Sequence, residues 1–398
     1  MAMSFRNLIC LALTLSLSAA IPAAAKPFVP DDDLVVLERL PEKTDPTLAL
    51  LKRQRTALGK APDDAALAAS VARRAIEAAR ATGDPRFLGQ AQAALTPWWT
   101  AADPPEAILV LRATLKQSTH DFAGALSDLD RILAARPADA QARLTRATVL
   151  TVQGRYAEAR RDCEALAGRA LELVRTACVA GPASLSGAAA DAYRALSDAL
   201  DRGAGLNPAL LAWGQTLAAE IAARRGDAAI ADAHFRVALA LDRRDAYLQG
   251  AYADFLLDQR RAAEAAVLLR DQTKNDALLL RLTLAQAELA SESQDARDAY
   301  DRNRSDLDAR FDAARRRGDT VHRREEARYA LALEGDCRRA LALARQNWAV
   351  QREPADLRIL AAAASATGDA QALASVAAWQ ASHHLEDVTL AAILGGAK

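Results

Sequence analysis

Aromatic residues are scarce in this chain of 398 residues. Phe, Trp and Tyr together make up only 5% of it, although 51% is apolar. The apolar fraction is dominated by Ala and Leu, which pack helices closely and supply little of the β-branched and aromatic surface that a β-sandwich needs. Glycine and proline, at 18 and 14 residues, are too few for a long disordered tract. There is no charge of one sign to spare: 51 basic residues stand against 51 acidic ones. A balanced chain lacks the basic footprint of a nucleic-acid binder and has no electrostatic pull toward an anionic membrane. Phosphate-cradling Gly-rich loops, HExxH and GxSxG are also missing, so no motif proposes catalysis, a metal or a cofactor. The five histidines are scattered, and no Cys/His spacing suits zinc.

Long hydrophobic runs are missing too, apart from the start. Arg6, an apolar stretch from Leu8 to Ile21 and then Pro22-Ala23-Ala24-Ala25-Lys26 have the order of a secretory signal peptide, with cleavage expected after Ala25. The protein is therefore expected in the periplasm or outside the cell, with no membrane span once residues 1–25 are removed. Residues 26–60, broken by Pro27, Pro30, Pro41 and Pro46, read as an approach segment to a helical body over 61–398.

What is present is a period. Glu106–Leu173 holds two copies of a 34-residue unit: Ala113 overlays Ala147, Phe122 overlays Tyr156, Ala125 overlays Ala159 and Leu129 overlays Cys163. With Gly154 and Pro137 added, these residues resemble the tetratricopeptide repeat family, with His120 where glycine is usual. The resemblance extends over roughly Pro62–Leu394. It implies an all-α fold, a right-handed α-solenoid of about eight tandem helix hairpins, closed by a capping helix at Leu385–Leu394. Gly-Asp recurs at 83–84, 226–227, 318–319, 335–336 and 368–369. Each is a candidate hinge, with glycine ending one helix in the left-handed conformation and aspartate capping the next. Gly181-Pro182 reads as a break, and Arg328 stands where the repeat expects a small residue.

In proteins of this type the first helix of each unit lines a concave face. The register carried over places Trp213 and Glu220 inward from one unit, and Tyr247 and Asp254 from the next. This aromatic pair beside two carboxylates is the expected partner-binding groove, suited to a peptide of basic character. The alternative is that the aromatics simply pack between helices. The implied activity is a non-catalytic protein–protein interaction scaffold of the cell envelope, binding an exported protein or peptide and no nucleic acid. A second possibility is an envelope protein for a small ligand or metal. It would use Trp98-Trp99 or the spacing of His322, Glu325 and Glu326; a filled gap between hairpins and a charged helix start are the plainer accounts of the same residues. Cys163 and Cys178 fall on helices that touch in such a solenoid. A disulfide between them is expected in an oxidising compartment, the alternative being two buried thiols. Cys337 is expected buried, and Asn347 is expected to brace a turn.

Overall fold

The computed structural model describes Asp32 and residues 45–396; the expected signal peptide and about half of the expected approach segment lie outside the described residues. Among those described there are twenty α-helices and no strand. Helix α1 (Pro46–Leu58) packs on the first of nine hairpins. These are α2/α3 (Ala65–Thr82, Arg86–Ala94), α4/α5 (Glu106–Ser118, Phe122–Ala135), α6/α7 (Ala140–Val152, Tyr156–Glu164) and α8/α9 (Glu172–Ser184, Ala189–Arg202). They continue as α10/α11 (Pro208–Arg225, Ala228–Leu241), α12/α13 (Ala246–Asp258, Ala262–Leu269) and α14/α15 (Asp276–Leu289, Gln294–Arg316). The last are α16/α17 (Arg323–Tyr329, Cys337–Trp348) and α18/α19 (Pro354–Thr367, Ala370–His383), and α20 (Val388–Gly396) caps the end. No described helix is long and apolar enough to cross a membrane.

Local chemistry sets these boundaries. Asp121, Asp139, Asp245, Asp336 and Asp369 each accept the backbone N–H three residues on, satisfying a donor that the first helical turn leaves unpaired. All five Gly-Asp glycines have positive φ. Their aspartates are less uniform. Asp84 and Asp319 accept from the residue two positions on, and Asp227 faces Arg225 instead. The same turn position that Gly154 and Gly226 fill is taken by His120 and Arg260, both at φ near 60°. The repeat therefore imposes the left-handed turn even where the side chain opposes it.

Two expectations need correction. Gly181-Pro182 lies within the last turn of α8, where the hydroxyls of Ser184 and Ser186 bond the carbonyls of Gly181 and Pro182. Cys337 is half-exposed, because it occupies the first turn of α17 outside the packed stripe. Other readings meet their counterparts. Asn347 is buried and donates to Asp356 at 2.7 Å. Trp98 and Trp99 pack on the first core cluster, and their carbonyls accept from Arg112.

Arg112 and Asp128 form a buried ion pair, and Arg146 and Asp162 repeat it 34 residues later. Arg112 spends its remaining guanidinium nitrogen on the carbonyls of Trp98, Trp99 and Ala101, so it ties its hairpin to the preceding turn. With its donors matched in this way, the buried charge is tolerated.

The first helices of all the hairpins touch in sequence, from α2 to α18 and on to α20, forming a continuous inner wall. The wall curls back on itself. α2 touches α12, where Asn275 donates to the Gly83 carbonyl, and α10 touches α20. One core cluster joins Tyr156 and Leu185 to residues of α16–α20. Gly154 is needed twice: it turns left-handed, and a Cβ there would come within 2.6 Å of the Trp379 ring.

Cys163 of α7 and Cys178 of α8 are joined as a disulfide, with Cα atoms 5.3 Å apart. The loop it closes spans 15 residues, a length that lowers denatured-state entropy by about 3 kcal/mol. The Cys163→Ser/Cys178→Ser double variant should lose stability of that order in urea unfolding of this region. An unchanged midpoint would show that packing alone holds α7 to α8.

A fenced hollow on the inner wall

The inner wall encloses a hollow of about 600 Å³. One side is α12, the C-terminal half of α10 from Leu217 and the N-terminal half of α14. The other is made by Arg324 and Glu325 of α16, Glu353 with Pro354–Arg358 of α18, and Val388 and Thr389 at the start of α20. A smaller space of about 260 Å³ adjoins it through Asn275, Ala277, Arg324 and Glu325, and carries His120 and His322.

How Arg324 and Arg328 come to face this region follows from one irregularity. Between α16 and Gly335 the chain makes a π-helical turn at Ala330–Glu334. Such a turn holds one residue more than an α-turn. Upstream of it the repeat register moves by one, so Ala327, fully buried, takes the small-residue place expected at 328. Arg324 and Arg328 then fall on inward positions.

Of the four residues expected in the groove, the structure brings three together. Tyr247 donates its hydroxyl to Glu220 Oε1 at 2.7 Å, and Glu220, Tyr247 and Asp254 all line the hollow. Trp213 does not. It is 40% exposed on the N-terminal half of α10, beyond the fence, and makes no ring contact with Tyr247. The two aromatics share a repeat position, but only α12 is enclosed along its length.

Nor are the carboxylates free to receive a basic peptide. Asp254 is held between Arg281 at 2.7 Å and Arg328. Burial pushes its carboxyl up, but the two guanidinium groups outweigh this and hold it at about 2. Asp258 meets Arg358 at 3.1 Å, and Arg358 also grips Asp387 at 2.8 Å. Burial keeps the Asp258 carboxyl above its ordinary value despite Arg358. Arg324 bridges Glu353 and Asp356, and Glu353 caps the start of α18 in a reciprocal capping box.

Tyr247 is 63% exposed and lines the hollow. The Glu220 carboxylate raises its phenol well above the usual range, with burial adding to the effect. Glu220 itself is raised, first by burial and against the hydrogen bond from Tyr247. His120, at the smaller space, is held below the ordinary imidazole value by burial and then by Arg324.

The remaining candidates do not assemble. Glu326 turns away to Arg315 and Arg339, and His322 comes only within 3.9 Å of Asp319. Among the described residues no three His, Cys, Asp or Glu side chains are placed to share a metal. Ser382 and His383 meet at 3.0 Å, but the same ring nitrogen faces the Trp379 carbonyl, and the serine is exposed. The signal for the paired inner arginines was present in sequence as Arg324 and Arg328, four apart; without the π-turn their register could not be assigned.

No protein-family model matches the chain, and no curated protein matches it. Among solved structures it is similar to a tetratricopeptide repeat protein from Parabacteroides merdae, at 17% identity over 59% of this chain and 92% of that one, with a TM-score of 0.43. It is also similar to a Rap protein complexed with Competence and Sporulation Factor, at 12% identity over 88% and 97% of the two chains and a TM-score of 0.48. A third is an IFIT1 monomeric mutant with Gppp-AAAA, at 14% identity over 88% and 86% and a TM-score of 0.45. The chain resembles tetratricopeptide repeat proteins, and its use of the hollow is argued from its own residues.

The opposed shifts predict a pH dependence. Asp254 has a folded-state pKa of about 2, below its ordinary 3.8, so it contributes about 2 kcal/mol above pH 4. That contribution is lost as pH falls through 2. Glu220 is shifted upward, so its charged form costs stability at neutral pH. Glu220→Gln should raise Tm at pH 7 and leave it unchanged below the Glu220 titration. A lower Tm at pH 7 would refute the assignment.

Proposed function

We propose that the protein is a binding scaffold without a reaction of its own, and that it holds a short segment of a partner protein or peptide in the hollow. The observation that carries this is the enclosure itself. A rigid inner wall places an exposed tyrosine among acids and arginines whose positions are already fixed by ion pairs. Preorganised polar groups around an aromatic anchor are what a binding site needs to avoid losing affinity to ordering on association. The hollow is lined by both charges, and its pairs satisfy one another. The favoured ligand is therefore polar and not basic, in place of the basic segment suggested by the sequence.

The cell envelope is the proposed location. The leader-like start of the sequence supports it, as does the disulfide, since such bonds persist in oxidising compartments. The balanced charge supports a protein partner over nucleic acid.

A second reading, an envelope protein for a small ligand, is favoured by one feature: α16, α18 and α20 fence the wall and leave a space of small-ligand size. Native mass spectrometry of the mature chain as purified separates the two, because a tightly held small ligand would appear as a fixed mass increment.

For the leading reading, the test is affinity capture from envelope extract followed by binding measurements on the retained partner. Tyr247→Ala should weaken binding about 30-fold, the size of a hot-spot loss of roughly 2 kcal/mol, with helical circular dichroism unchanged. Trp213→Ala should bind as the wild type does. The reverse pattern would move the site to the outer end of α10.

A further inference from the structure

Three of the four arginines lining the hollow are paired. Arg281 and Arg328 share Asp254, Arg324 holds Glu353 and Asp356, and Arg358 holds Asp258 and Asp387. Arg224 is different. It lies four residues after Glu220 on α10, an arrangement that favours an ion pair, yet no such pair forms. Glu220 is engaged by Tyr247, and Arg224 uses Nη2 to donate to Ser184 Oγ at 2.8 Å. Among the described residues its buried Nε has no partner, and its one hydrogen bond is the one from Nη2. The residue is only 9% exposed while lining the hollow.

We propose that Arg224 is a carboxylate-binding group: the hollow receives a ligand whose carboxylate, either a peptide C-terminus or a free organic acid, takes the unused guanidinium donors. This rests on the hollow being the binding site and names the chemical group it recognises there.

The physical reason is the cost of the unliganded arrangement. A buried guanidinium whose donors lack acceptors is unfavourable, and proteins satisfy nearly all such groups. A carboxylate offers two acceptor oxygens in a plane that matches the guanidinium fork, and the charge-assisted bonds that result are strong ones. The surroundings agree. Ser184 fixes the guanidinium on one side, and the neighbouring wall is open at Gly181, where a Cβ would meet nothing within 4 Å. Burial lowers the Arg224 pKa against the nearby charges of Glu220 and Asp387, as expected for a cation short of a counter-ion. Burial also favours the neutral form of Glu220, which lessens its repulsion of an incoming carboxylate.

The test uses isothermal titration of the full oxidised chain with three probes: N-acetyl-Ala-Leu-Ala with a free C-terminus, the same peptide as its C-terminal amide, and succinate. Binding of the free-acid peptide at least tenfold tighter than the amide assigns the carboxylate to a peptide terminus. Binding of succinate in its place assigns it to a free acid. In either case Arg224→Gln must weaken binding tenfold or more. Equal binding of acid and amide, or binding of neither carboxylate probe, overturns the proposal. A second readout needs no ligand: Arg224→Met should raise Tm of the free protein, because it removes an uncompensated buried cation. A fall in Tm would make Arg224 a structural brace to Ser184 and also overturn it. Either failure leaves the hollow standing as the binding site if Tyr247→Ala still weakens binding of the captured partner.

Discussion

The carboxylate of Asp254 is shared by arginines from two other hairpins, and the form of the inner wall depends on that arrangement. Arg281 comes from α14, the neighbour of α12, but Arg328 comes from α16, two hairpins on. Neighbouring units in a solenoid would touch whatever the curvature. Units two apart can meet through side chains only if the wall bends sharply between them. Arg358 extends the same constraint a further hairpin, reaching Asp258 at the end of α12 from α18. Asp254 and the two guanidinium groups are each less than one-third exposed, so their attraction is screened less than that of a surface pair. Small residues permit the bend that these charges hold: Gly214, Ala218, Gly250 and Ala253 let the inner helices approach.

Curvature then decides what the concave face can be. A gently curved solenoid offers a long open groove. Here α2 meets α12 and α10 meets α20, so later helices fence the wall that earlier ones build. What remains is a hollow, and its occupant is limited to a short segment or a small molecule. The ion pairs that bend the wall also consume the charges that would otherwise attract a ligand. Recognition is left to the groups outside those pairs, Tyr247 and Arg224 above all.

Much of this was legible in the sequence. The 34-residue period places α4–α7 within a residue or two, because left-handed turns and aspartate caps leave strong local marks. Asn347 could be read as bracing, since a polar residue in a packed position requires a partner. The disulfide followed from touching helices. The remainder resisted reading for identifiable reasons. The π-turn adds one residue without altering composition, so Arg328 looked like a fault in the small-residue pattern when it belongs to the inner row. Trp213 and Tyr247 are equivalent by period, but they are separated by what encloses them, and enclosure comes from α16, α18 and α20, well beyond the neighbouring repeat. The ion pairs Arg112–Asp128 and Arg146–Asp162, 34 residues apart, were not read from the sequence because attention to the period fell on apolar and small positions, yet they show that polar positions can carry it as well.

The two kinds of charge in the molecule thus serve different ends. Arg112 is buried and Arg146 partly so, both with their donors directed at acceptors within the fold, which makes them parts of the scaffold. Arg224 is buried nearly as deeply, but most of its donors face no acceptor. A solenoid gains stability from each unit and each interface, so it can tolerate an incompletely satisfied cation where a smaller domain could not. That tolerance is what allows a group to be held ready for a ligand instead of being neutralised by the protein itself. The Glu220–Tyr247 hydrogen bond maintains the condition: by engaging Glu220, Tyr247 keeps the nearest carboxylate on the same helix from closing on Arg224.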